Sequence, residues 1–116
     1  MTDQEWQDLG RRAVACKHWR WLPGMLDSDG TRVLAIHATG DAVVMLGYIH
    51  TVKPTLLSPA DLRDPATLGC LLALVREAHR DPCWQSLCFG DDTWAIEGSD
   101  YPTEAAALVA ALEAAP

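Results

Sequence analysis

The stretch that most narrows the possible folds is Asp64-Pro65 and the apolar segment it opens. Asp is a strong N-cap because its carboxylate accepts a free N–H of the first helical turn. Proline at the first helical position loses nothing, since its missing N–H would have no partner there. Leu68, Leu71, Leu72 and Val75 then share one helical face, and Cys70 and Leu74 widen it. This spacing predicts a helix over about 65–80, read as the central buried helix with Leu71 and Leu72 inside. Arg76, His79 and Arg80 suit the negative end of its dipole, and Asp81-Pro82 stops it. On either side lie strand-like segments joined by turns. Residues 31–38 and 42–52 meet through Ala38-Thr39-Gly40-Asp41, and Pro54 closes the second of them. Residues 84–89 and 93–97 meet through Gly90-Asp91-Asp92.

Two further helices frame the chain. Thr2 and Glu5 form a capping box ahead of Trp6, Leu9, Ala13 and Cys16, which predicts a helix over 3–17. Pro23-Gly24 and Asp27-Ser28-Asp29-Gly30 are turn signals. Thr103 caps a last helix with Leu108, Ala111, Leu112 and Ala115 on one face. The expected fold class is therefore α+β, with three helices and one antiparallel sheet built from two hairpins, in the order α-β-β-α-β-β-α. With 116 residues the chain reads as a single domain, 1–116, without an internal repeat.

Residues 16–25, Cys16-Lys17-His18-Trp19-Arg20-Trp21-Leu22-Pro23-Gly24-Met25, are too aromatic for a solvated linker. Trp19 and Trp21 face the same side if the segment is extended. They either close the end of the core or form an exposed patch, and both tryptophan and arginine are frequent interface anchors. The five tryptophans, spread from Trp6 to Trp94, are expected to serve mostly one common core. The acidic start, Met1 to Trp6, lacks the basic and apolar run of a secretory leader. No apolar run, Cys70 to Val75 included, approaches a membrane span. The expectation is a soluble cytoplasmic protein whose four cysteines, Cys16, Cys70, Cys83 and Cys88, are reduced.

The net charge of −7 is unevenly placed. Residues 1–80 hold all nine Lys and Arg against nine Asp and Glu. Residues 81–116 hold seven acids (Asp81, Asp91, Asp92, Glu97, Asp100, Glu104 and Glu113) and no base. Phosphate binding requires bases that displace counterions. The one basic cluster, Arg11, Arg12, Lys17 and Arg20, lies beside Asp3, Glu5 and Asp8, which argues against direct nucleic-acid binding. A basic protein partner for the C-terminal third fits the charge better.

Residue spacing argues against several chemistries. Cys16-x-His18 and His79-x3-Cys83-x4-Cys88 supply soft ligands, but zinc sites usually draw on two tight pairs, which this spacing lacks. In a regular strand from residue 84, Trp84, Ser86 and Cys88 would share a face, and Cys70 and Cys88 read as small core residues. His37 and His50, on a single long hairpin, would stand about 26 Å apart and could share no ligand. Ser28, Ser58, Ser86 and Ser99 lack a nucleophile elbow, and Gly24, Gly30, Gly40 and Gly47 form no phosphate loop. Asp91-Asp92 could hold a cation, although aspartates in a turn are ordinary. The expectation is no catalytic residue, no metal and no cofactor.

Residues 16–25 resemble a motif of small phage and prophage proteins. Leu62-x-Asp64-Pro65-Ala66-Thr67-Leu68-Gly69-Cys70-Leu71-Leu72-x-Leu74-Val75-Arg76-Glu77-Ala78 resembles the same group, as does Pro102 to Glu113. The resemblance implies a viral origin and a host-cytoplasm location, and no defined activity. The leading reading is an accessory protein, not an enzyme, that binds a basic surface on a host protein. By analogy with anti-CRISPR proteins, that partner would belong to a host defence system. The binding residues on this reading are Asp91, Asp92, Glu97 and Asp100 for the acidic surface, with Trp19 and Trp21 for the aromatic one. The chain would be a monomer or homodimer. A virion assembly component is the first alternative, and a zinc-binding protein or small enzyme the second.

Overall fold

The structure is a computed structural model that describes residues 1–46, 48–53, 58–85, 87–89, 93–96 and 99–116. Among the described residues there are three helices and six strands, and the α+β class holds. Helix α1 spans Asp3–Ala15. Its capping box is formed: Glu5 N–H donates to the Thr2 hydroxyl, and Thr2 N–H donates back to the Glu5 carboxylate. Gly10 lies where α1 crosses the segment before α2, and a Cβ there would collide with the carbonyl of Ala60. Helix α2 spans Pro65–Ala78 with Asp64 as N-cap, and α3 spans Glu104–Ala114 with Thr103 as N-cap. All three expected helix starts are present. No helix among the described residues is long and apolar enough to cross a membrane.

The strands differ from expectation in a way that changes the topology. Residues 42–52 are not one strand. Between Leu46 and Ile49 the chain reverses, so that β1 (Val33–Ile36), β2 (Ala42–Leu46) and β3 (Ile49–Lys53) form a three-stranded antiparallel meander. Met45 pairs with His50 and Ala42 with Lys53. The 26 Å separation of His37 and His50 was built on a single long strand and falls with it.

The second expected hairpin exists as β4 (Leu87–Phe89) and β5 (Thr93–Ile96), and β6 (Ser99–Tyr101) pairs on the far side of β5. Trp84 lies outside β4, so no regular strand starts there. The two meanders are separate sheets, not one. The order is α-β-β-β-α-β-β-β-α, in which three strands followed by a helix occur twice.

The central helix is α3, not α2. Ala105, Ala107, Leu108, Val109, Ala111 and Leu112 are buried, so α3 is enclosed nearly all round. It packs against α1, α2, β5 and β6. Helix α2 buries a narrower stripe of Thr67, Leu71, Leu74 and Val75, which leaves Leu72 and Cys70 half-buried. Met25, Val33, Ala42, Val44, Ala60 and Leu62 complete one continuous core with α1 and α3. Trp21 belongs to it, and Trp6, Trp19 and Trp84 pack against it.

Asp64 ties α2 to the chain ahead of β1. One of its oxygens accepts from both Thr67 N–H and the Thr67 hydroxyl, while Arg32 donates to both carboxylate oxygens at 3.0 Å. The Thr67 hydroxyl, fully buried, also accepts from Leu26 N–H. The Arg32 guanidinium, helped by the Thr67 donors, holds the Asp64 carboxyl at about 2, against the partial burial that opposes ionisation.

Candidate functional site

Three of the residues that suggested metal chemistry, Cys16, His18 and His79, converge at the C-terminal end of α3. A helix end leaves its last carbonyls without N–H partners, and α3 has no base in its final turn. Side chains from two other elements supply donors. His79, the C-cap of α2, contacts the Ala111 carbonyl through Nε2 at 2.7 Å. Just past α1, His18 contacts the Ala115 carbonyl through Nε2 at 3.2 Å, and Cys16 donates its thiol to the Leu112 carbonyl. For each imidazole to donate, the proton must sit on Nε2. The Trp84 ring stacks on His79 with centroids 6.0 Å apart, and Arg76 holds the Trp84 carbonyl at 2.9 Å.

These contacts give the Cys-x-His motif and His79 a structural task, which is to terminate the central helix. Cys83 is exposed. The side chain of Cys88 lies outside the described residues. Among the described residues no three His, Cys, Asp or Glu side chains stand together as a metal site. Burial, with Asp64 nearby, pushes the Cys70 thiol upward, which lowers its reactivity.

Beside this helix end lies an open cleft of about 540 Å³, lined by His18, Leu74, Glu77, Ala78, His79, Arg80 and Pro116. Its size falls in the range of small-molecule sites. No lining side chain is a hydroxyl or thiol nucleophile. Glu77 is engaged by both terminal nitrogens of Arg20, which holds its carboxyl below the usual range. Both imidazoles are committed to carbonyls through one nitrogen each. Among the lining residues no hydroxyl or thiol stands beside a base, the pairing on which nucleophilic catalysis rests.

Arg80, on the cleft rim, has φ of +53°, in the left-handed region. It ends α2 in a Schellman arrangement: Arg80 N–H donates to Glu77 O and Asp81 N–H to Arg76 O. Glycine is the usual residue at that position.

Trp21, only 7% exposed, is a core residue and cannot serve as a docking side chain. Trp19 is half-buried against it, the two rings edge to face at 5.5 Å. Both indole N–H groups are buried without an acceptor among the described residues. The edge-to-face geometry allows at most one of them to point at the other ring. The aromatic segment thus closes the core.

Of the acidic residues proposed for binding, Asp91, Asp92 and Glu97 lie outside the described residues. Asp100 lies in β6, paired with Ala95. Glu104 opens α3, and Glu113 near its end is paired with Arg12. In the basic cluster Arg11 pairs with Asp8, Arg12 with Glu113 and Arg20 with Glu77.

One surface was missed on sequence. Leu34, Ala35, Met45 and Val52 are exposed on the outer face of the first meander. The signal for it was present. A meander with one solvated face alternates apolar and polar residues, whereas Val33-Leu34-Ala35-Ile36 and Ala42-Val43-Val44-Met45-Leu46 are apolar throughout. In comparisons with known proteins, no family model, no curated protein and no solved structure matches this chain.

Proposed function

We propose that this protein acts by binding a basic surface of another protein through its C-terminal third. The observation that carries the reading is the segregation of charge. Seven acids and no base fall in residues 81–116, and one of them, Glu113, is neutralised by Arg12. Asp91, Asp92, Glu97 and Asp100 are the contact residues on this reading, and their role is to speed and orient association. The resemblance to phage proteins supports a host protein as the partner, and by analogy with anti-CRISPR proteins a component of a host defence system. In the cleft at the end of α3, His18 and His79 are engaged in holding the helix and Glu77 is paired with Arg20, so the charge segregation carries the reading further than the cleft does.

The test uses the whole chain as bait in lysate of a bacterial host, at low and at high salt. The expected result is a basic partner that is released by salt and associates at least ~10-fold more slowly with a variant carrying Asp91→Asn, Asp92→Asn, Glu97→Gln and Asp100→Asn. A partner bound at the same rate and with the same salt slope by that variant would overturn the acidic surface.

A further inference from the structure

Arg80 brings a full charge to the rim of the cleft at the end of α3. The two acids nearest to it along the chain are committed elsewhere. Glu77 holds Arg20 through both oxygens, and Asp81 accepts the N–H of Cys83 through Oδ1. Among the described residues no ion pair joins Arg80 to a carboxylate. The negative poles of two helices lie beside the same cleft, α2 ending at Ala78 and α3 at Ala114. Their last carbonyls already have donors. His79, Cys16 and His18 reach those of Ala111, Leu112 and Ala115. The backbone N–H groups of Arg80 and Asp81 reach those of Glu77 and Arg76. The charge left without a partner in the cleft is therefore positive.

A second observation falls on the same residue. Among the described residues Arg80 is the one non-glycine residue with positive φ. A glycine would close the same turn with no Cβ to crowd the backbone. The turn itself uses only the backbone N–H of Arg80 and asks nothing of a guanidinium. A left-handed backbone that persists at a cleft points from geometry to a task for its side chain, because the residue that suits the turn best is not the one present.

We propose that Arg80 makes this cleft a binding site for a small organic anion, whose carboxylate or phosphate group the guanidinium holds. Arginine offers a planar fork of N–H donors that fits either group and stays charged at every physiological pH. The cleft volume of about 540 Å³ suits a molecule of that class. Ala78 and Pro116 supply apolar surface for its body. With Nε2 of His18 and of His79 turned to α3, each ring keeps Nδ1 as an acceptor for a hydroxyl or amide of the same molecule. The site is separate from the acidic surface and does not depend on it.

Chemical-shift titration of the isotope-labelled full chain tests this, with inorganic phosphate and with benzoate as probes, each to about 20 mM at constant ionic strength. The expected result is a saturable shift of the amides of residues 77–81 and 111–115 with at least one probe. Saturation by phosphate alone assigns the ligand a phosphate group, and saturation by benzoate alone a carboxylate on an apolar body. Arg80→Gly and Arg80→Asn both suit the left-handed backbone and remove the charge. Each should weaken binding at least ~10-fold, and circular dichroism checks that each is folded. If neither probe saturates, the proposal is overturned, as it is if either variant binds as tightly as the native chain.

Discussion

The two meander–helix units follow the same order of elements but are buried to different depths. In the first, β1–β3 and α2, the sheet covers the core with one face and leaves the other apolar face open. Its helix buries one stripe and keeps Gly69, Ala73 and Glu77 exposed. In the second, β4–β6 and α3, the helix is enclosed by α1, α2 and the sheet behind it. The difference is not one of hydropathy alone, since β1 and β2 are apolar throughout yet leave one face exposed. It follows side-chain size and place in the stack. The alanines at 105, 107 and 111 let three neighbours approach α3 closely, and close packing on all sides is what makes a helix central.

The largest test of that contrast is a pair of leucine truncations. Leu108→Ala, at a fully buried site of α3, should cost about 3–5 kcal/mol in denaturant unfolding. Leu72→Ala, at a half-buried site of α2, should cost only about 1 kcal/mol. Equal losses would show that both helices are equally central.

Next comes the join between the first unit and the rest. Asp64→Ala removes an N-cap and the partner of Arg32, and should cost about 2 kcal/mol. The native Asp64 carboxyl ionises at about 2, below its ordinary value. Its contribution is therefore whole above the ordinary carboxylate range and is lost as the pH falls toward about 2. The acid limb of the stability curve should be shallower in the variant. An unchanged limb would show that Asp64 is not held as described.

Smaller effects probe the caps. His79→Ala unmakes the contact to Ala111 and the stack on Trp84, and should lower stability by about 1 kcal/mol. Arg80→Gly relieves the left-handed backbone and should raise stability by about 0.5–1 kcal/mol. If melting instead falls, the Arg80 side chain has a role that its backbone geometry does not reveal.

Legibility followed the range of the interactions. Thr2 with Glu5, Asp64 with Thr67 and Thr103 with Ala106 are bonds between residues three apart, and all three helix starts were readable. The turn within residues 42–52 was not. Leu46-Gly47-Tyr48-Ile49 is apolar and strand-prone across it, and one glycine inside a strand pattern is a weak turn signal. Strand β6, Ser99-Asp100-Tyr101, is three residues without apolar alternation, so its pairing depends on β5 beside it. The capping of α3 by His18 and His79 spans 97 and 32 residues, which spacing cannot show. The same histidines therefore read as loose metal ligands. Trp21 was open between core and interface because an aromatic side chain suits either.

The measurement that tests the contrast most directly is amide hydrogen exchange of the full chain. The account predicts that the amides of residues 104–114 exchange last, at the rate of global unfolding, while those of β3 (Ile49–Lys53), at the rim of the open sheet, exchange orders of magnitude faster through local opening. If β3 is protected to the same degree as α3, the two units are equally anchored, and the division between a central helix and an open sheet is wrong.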